Sequence, residues 1–331
     1  MDRLGFFKQG LASVMDAASS IIGLKKAADS FVEVVDEALS NIKTDIGFHL
    51  PSIDAAIYDG GASVLENLAA IGYSTIEVGT YKDGKLHYKT PEELKELARK
   101  ANVKITAAHL NHLLTETVKS EDEKTSNEEE TVKGEEVIQD AQTEEIAEAT
   151  INDADKDWWL SALTICKDLG CKYVTMAQFP ENPDQATIAR YAKYFDTIGG
   201  MAAEQGMKFC FHPTKAELTK SDDSASVFEM LAEQTDKEKV WFEIDTLEAV
   251  ETATDVCELL KQHDKRVLLL HLHDYGVAGD SGLIDFDSII KEGIKRGLAD
   301  IFIEVRDFHL PAMNCVERSY YYVDTLPSIR Y

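Results

Sequence analysis

Basic residues are scarce in this chain. Its 331 residues hold 34 Lys and Arg against 60 Asp and Glu, a formal charge of −26. Nucleic acid and anionic membranes are poor partners for such a surface. Long apolar runs are missing too, so no membrane-spanning helix is expected. Cysteine is sparse and unpatterned: Cys166, Cys171, Cys210, Cys257 and Cys315 are odd in number and form no CxxC or Cys/His zinc spacing. That excludes a disulfide framework and a thiolate zinc site, and leaves Cys166 and Cys210, in apolar stretches, as reduced buried thiols. A Gly-rich phosphate turn after an early strand is also absent, which counts against an open dinucleotide-binding sheet.

The acidic excess is uneven. Residues 116–157 hold sixteen Asp or Glu against four Lys, a net −12, so the rest of the chain is only mildly acidic. With little to bury, 116–156 is expected to be a solvated, mobile insertion, with a polar helix near 137–149. A lid over a binding site is the sharper alternative. At the N-terminus, Phe6, Phe7, Leu11, Val14, Met15 and Ala18 are spaced for one helix face, and 1–44 is expected to be a helical extension. Asp16 interrupts the apolar stretch that an export leader would need, so the expected location is cytoplasmic, with export kept as an alternative.

From Asp45 onward, strand and helix patterns alternate. Strands are expected at 45–50, 74–78, 104–109, 172–176, 208–212, 240–245, 267–273 and 300–305. Helices are expected between them, among them 63–72, closed by Gly72, and 90–101, with Thr90, Pro91 and Glu93 as its start signal. Eight strand–helix units are the count for an α/β barrel of the (β/α)8 TIM type, with 45–331 as the barrel domain.

In such a barrel, ligands bind at the carboxyl ends of the strands. Four apolar runs of the second half end in His, Asp or Glu: 208–217, 240–245, 266–274 and 300–307. They bring Glu217 or His212, Asp245, His271 and Glu304 to one rim, where a divalent cation could sit. Asp245 is an acid at the tip of an apolar strand. Its next helix is expected to begin only near Thr254, which favours a ligand over a helix cap. Glu243 shares its face by strand alternation, and His271 and His273 share another. His49 and His109 also stand at strand ends.

The motifs resemble one family. IGYSTIEVG (71–79), LGCKYV (169–174), GMKFCFHPTKAEL (206–218), VWFEIDT (240–246), LLLHLHD (268–274), IFIEVRD (301–307) and ERSYYYV (317–323) follow, in order and spacing, the sugar phosphate isomerase/epimerase group with the xylose-isomerase-like barrel. The resemblance spans about 45–325. It implies a divalent metal, Mn²⁺, Mg²⁺, Co²⁺ or Zn²⁺, on Glu217, Asp245, His271 and Glu304, with His212 as the alternative to Glu217. It implies acid–base roles for Glu304, Glu217 or His212, and substrate contacts from His49, Glu77, His109, His273 and Arg306. Three positions depart from the family pattern: Thr214 replaces a histidine, His273 a lysine and Val305 a glutamine.

The implied chemistry is an isomerase or epimerase acting on a sugar, sugar phosphate or related polyol through an enediolate. A lyase or dehydratase on the same site is the alternative, as is a non-catalytic descendant that binds carbohydrate or protein. A nuclease on this barrel is disfavoured by the charge. The N-terminal helix could pack beneath the barrel or support a homo-oligomer.

Overall fold

The computed structural model describes residues 45–115, 151–220 and 224–330. The N-terminal extension and most of the acidic insertion, with its proposed lid, lie outside the described residues.

Eight parallel strands close into a barrel in sequence order, β1 pairing with both β2 and β8. The strands are β1 (Ile46–His49), β2 (Thr75–Val78), β3 (Lys104–His109), β4 (Tyr173–Met176), β5 (Lys208–Phe211), β6 (Val240–Asp245), β7 (Val267–Asp274) and β8 (Asp300–Val305). Each falls within two residues of its expected bounds.

The helices α1 (Asp54–Ile71), α2 (Pro91–Ala101), α3 (Asp153–Leu169) and α4 (Gln185–Glu204) cover the first four strands. They are followed by α5 (Lys215–Leu218), α6 (Val227–Gln234), α7 (Thr246–Glu251), α8 (Val256–Gln262), α9 (Phe286–Lys295), α10 (Ala312–Asp324) and α11 (Pro327–Arg330). The capping box expected at Thr90 and Glu93 opens α2. The helix α3 begins earlier than expected, inside the stretch assigned to the insertion, because the Asn152 side chain accepts from the Asp155 N–H and caps it there.

Two layers of packing divide the strand residues by parity, except where the register shifts at Thr106 in β3 and Leu268 in β7 offset the alternation. Outward side chains such as Phe48, Ile76, Ile105, Phe209 and Phe242 join the helices in one large core. A second, smaller cluster of Ala107, Cys210, Leu268, Leu269 and Phe302 plugs the barrel interior. Small residues on the inward face leave room for the Phe302 ring: a Cβ on Gly47 would lie 2.5 Å from it. The same period of two then puts His49, Glu77, His109, Glu243, His271 and Glu304 on the next inward layer, toward the carboxyl ends. The interior therefore changes from an apolar plug to a polar layer within one step of the pleat.

At the opposite end, Asp300 opens β8 with one carboxylate oxygen unpartnered. Burial pushes its pKa up to about 6; Lys172 and Lys104 oppose this, and Asp45 and Glu77 add to it. The folded value lies above the unfolded one. The protonated form is thus the stable one, and stability falls as pH rises from about 4 through about 6. Asp300→Asn is expected to raise unfolding stability at pH 8 by about 2 kcal/mol and to change it little at pH 4. Urea unfolding at the two pH values measures this, and an equal effect at both would count against it.

Candidate functional site

The polar layer forms the bottom of a cavity of about 370 Å³ at the carboxyl mouth of the barrel. His49, His109, His212 and His271 line it from β1, β3, the end of β5 and β7, with Tyr81, Asn111, Thr214, Glu248 and Arg306 around them. Tyr81 meets the edge of Trp158 at 5.0 Å, and Trp158 stacks on His112 at 4.3 Å. His112 is in turn held by the buried Asp155 at 2.8 Å, so the start of α3 backs Tyr81 from behind the lining.

Beneath the imidazoles lie two fully buried glutamates. Glu77 Oε2 stands 2.6 Å from His49 Nδ1 and 2.7 Å from His271 Nε2. Glu243 Oε2 stands 2.9 Å from His109 Nε2 and 3.3 Å from His212 Nδ1. Both residues follow a register shift, between Ile76 and Glu77 in β2–β3 and between Phe242 and Glu243 in β6–β7. The extra residue of each shift lies on the partner strand, Thr106 in β3 and Leu268 in β7, so it is the following residues of those strands, His109 and His271 among them, that are re-aimed into the layer.

The electrostatics follow from burial against mutual attraction. Burial alone would raise both glutamates, but the facing imidazoles win and hold Glu243 well below the usual carboxylate range and Glu77 below it. Burial opposes charge on His271 and His109 too, yet Glu243 and Glu77 lift both, His271 strongly. His49 goes the other way, its pKa lowered to about 4 by burial.

Of the four ligands expected from the sequence, three come together. Asp245, His271 and Glu304 have ligand atoms within 4.8 Å of one another. Glu304 Oε2 lies 2.7 Å from His271 Nδ1, and its other oxygen takes the Arg306 guanidinium. Asp245 caps a helix after all: Oδ1 accepts from the Leu247 and Glu248 N–H groups at the start of α7, while Oδ2 meets His273 Nδ1 at 2.8 Å. The expectation of no helix before Thr254 is thereby corrected, since TLEAVE forms the short α7 directly after the strand.

Glu217 is not brought to the site. It closes a capping box with Thr214 at the start of α5, accepting from the Thr214 N–H at 2.8 Å and its hydroxyl at 2.7 Å. Its sequence Thr-x-x-Glu carried that signal. His212, the alternative from the same strand, does line the cavity. Glu243 gains a larger place than the sequence suggested, and Glu248 was missed. Glu248 lines the cavity and accepts from the Lys215 N–H at 2.7 Å, with Arg306 3.4 Å away.

A family model for the xylose isomerase-like TIM barrel matches residues 65–313. The chain belongs to that family. No curated protein matches this member significantly. Solved structures do. A sugar phosphate isomerase/epimerase from Parabacteroides distasonis superposes with a TM-score of 0.69 at 20% identity, covering 87% of this chain and 96% of that one. An L-ribulose 3-epimerase gives 0.62 at 14% identity over 87% and 96%. The IOLI protein with a bound zinc atom gives 0.60 at 14% identity over 87% and 99%. At these identities the likeness carries the xylose isomerase-like fold alone. Among the described residues, no helix is long and apolar enough to cross a membrane.

The donors suit a divalent cation. Glu77 Oε1 and Glu243 Oε1 are buried without a hydrogen-bond partner, which is costly unless something unseen engages them. Among the described residues, every candidate ligand group within 4.8 Å includes His271: one with His49, Glu77 and His109, one with His109, His212 and Glu243, and one with Asp245 and Glu304.

Proposed function

We propose that this chain is a divalent-metal-dependent isomerase or epimerase acting on a sugar, sugar phosphate or related polyol. One observation carries the reading: a cavity at the carboxyl mouth of the barrel lined by four histidines, with two buried glutamates that each hold an unpartnered oxygen. The L-ribulose 3-epimerase and zinc-bound relatives of the same fold support it.

A cation held on His271 and its neighbours would, when bound, polarise a carbonyl and the adjacent hydroxyl and so acidify the C–H bond between them. Proton removal in this reading falls to groups that face the cavity. Donation from His49 Nδ1 to Glu77 leaves Nε2 with the lone pair, on a ring that lines the cavity. Glu304, the base expected from the sequence, has both oxygens engaged by His271 and Arg306, so here it orients His271. Asn111 and Tyr81 offer hydrogen bonds and an aromatic face to a polyol.

The test is proton exchange in deuterated water. Protein loaded with Zn²⁺, Co²⁺ or Mn²⁺ is incubated with ketopentoses, ketohexoses and their phosphates and followed by NMR. Expected is metal-dependent deuteration next to the carbonyl, with appearance of the epimeric or isomeric sugar. No exchange with any of these substrates would sink the reading. A lyase or dehydratase is the second reading, favoured by the absence of Glu217 opposite the remaining groups. It would show instead a product lighter by the eliminated β-substituent, which is one water for a dehydratase.

A further inference from the structure

We infer that the substrate is larger than one sugar: its ketose unit enters the histidine-lined cavity, and a neutral glycosyl group attached to it occupies a second pocket alongside. The inference rests on the isomerase reading above and narrows its substrate class.

The second pocket has a volume of about 480 Å³, against about 370 Å³ for the first. The two share Ala177 and Thr214, so they meet across the ends of β4 and β5. Those ends are held side by side, since the His212 N–H donates to the Met176 carbonyl at 2.9 Å. Both shared side chains are small, and Thr214 stands where the family pattern carries a histidine. Less side chain therefore separates the two cavities. Asn111 sits at the junction: its Oδ1 accepts from the Ala177 N–H at 3.0 Å, which leaves its amide N–H groups to donate into the first cavity. Together the two pockets remain within the range of about 300–1,000 Å³ typical of small-molecule sites.

The lining fits a sugar. Pro180, Pro183 and Val227 give an apolar wall, while Gln178, Asn182 and Thr219 bring amide and hydroxyl groups. An apolar wall with a few polar groups is the usual make-up of a ligand pocket. Glu217 also lines it. The Thr214 N–H and hydroxyl both donate to Oε2 of Glu217, and Oε1 has no hydrogen-bond partner among the described residues. A carboxylate oxygen so placed accepts from a sugar hydroxyl.

Charge selects a neutral group. Among the described residues, no Lys, Arg or His lines the second pocket, and two carboxylates do, Glu181 and Glu217. Phosphate is normally recognised by Arg or Lys, which are missing from this wall. In the first cavity the guanidinium of Arg306 is already engaged by Glu304 and stands 3.4 Å from Glu248. A sugar phosphate thus finds no uncommitted Arg or Lys in either pocket, whereas an uncharged glycoside meets donors and acceptors in both.

The test varies the length of the substrate on the metal-loaded full chain. Deuterium exchange next to the carbonyl is measured for fructose, fructose 6-phosphate, turanose, maltulose and isomaltulose. The last three carry a neutral hexose on different oxygens of the same ketose. Saturation-transfer NMR reports separately, without turnover, which ring touches the protein. At least one disaccharide is expected to exceed fructose and its phosphate at least about tenfold in kcat/KM, because the outer ring adds binding energy. Ala216 and Val227 line the second pocket and not the first. With circular dichroism confirming the fold, Ala216→Trp and Val227→Trp are each expected to remove that advantage and to leave exchange of fructose within about threefold of wild type. Exchange of fructose or its phosphate as fast as that of all three disaccharides, or an advantage that survives in both folded variants, overturns the second pocket and leaves the isomerase reading standing. Saturation transfer to the outer ring, lost in both variants, without exchange of any sugar supports the second pocket and sinks the isomerase reading. Neither exchange nor saturation transfer with any of the five overturns both.

Discussion

His271→Ala is expected to abolish tight binding of divalent cation and to cut turnover by at least about 10³-fold. His271 is the one residue shared by all three candidate ligand groups, so the outcome does not depend on which of them holds the ion. The ring is fully buried, and its two nitrogens touch carboxylates on opposite sides, Glu304 on one and Glu77 with Glu243 on the other. Alanine removes the donor and also leaves three buried carboxylates facing a void. Buried like charges without a shared cation are strongly destabilising, so the melting temperature should fall as well. The loss is expected to be smaller near pH 5 than at pH 8, because protonating the carboxylates relieves the repulsion. Elemental analysis, turnover and melting at both pH values measure the three effects. A variant that binds metal and turns over like wild type would remove His271 from the centre of the site.

Much of this architecture was legible before any coordinates. Strand runs such as KITAAH, VWFEID and DIFIEV have the observed bounds, because buried parallel strands are nearly uninterrupted apolar runs with a polar tip. Alternation also put Glu243 on the face of Asp245 two residues on. Parity could not say that Leu268 is an extra residue in β7, which sets Leu269 and His271 opposite Glu243 and Asp245, since that depends on pairing with β6. Composition was equally silent on α7. TLEAVE is too short for a helical period, and only the Asp245 side chain over its first N–H groups reveals that it starts there. The placement of Glu217 has the same physical origin. Thr-x-x-Glu is a strong local signal for a helix start, and a carboxylate already accepting two hydrogen bonds at a cap has little reason to reach into the barrel.

Gly47→Val is expected to be strongly damaging although it lies below the cavity, costing about 3 kcal/mol or more and leaving much of the protein insoluble. The case is steric. Gly47 lies on β1 between β2 and β8, where the sheet closes on itself. A Cβ there would stand 2.5 Å from the Phe302 ring, 2.7 Å from the Thr75 hydroxyl and 2.8 Å from the Ile301 carbonyl. Phe302 is wholly buried in the plug with Leu269, Cys210 and Ala107, and the Ile301 carbonyl belongs to the sheet. Valine's β propensity offers no compensation, because the added methyls fall on the crowded inner face. The consequence reaches the site, since the next inward residue on the strand is His49. A displaced β1 would move His49 away from Glu77, its partner across the β1–β2 register. Replacing Phe302 with leucine in the same chain frees space where the new methyls fall and should recover part of the loss. Soluble yield and urea midpoint of the single and double variants measure it. Full stability in Gly47→Val would mean that the plug is looser than its contacts imply, and that the layer of histidines above it does not depend on the layer below.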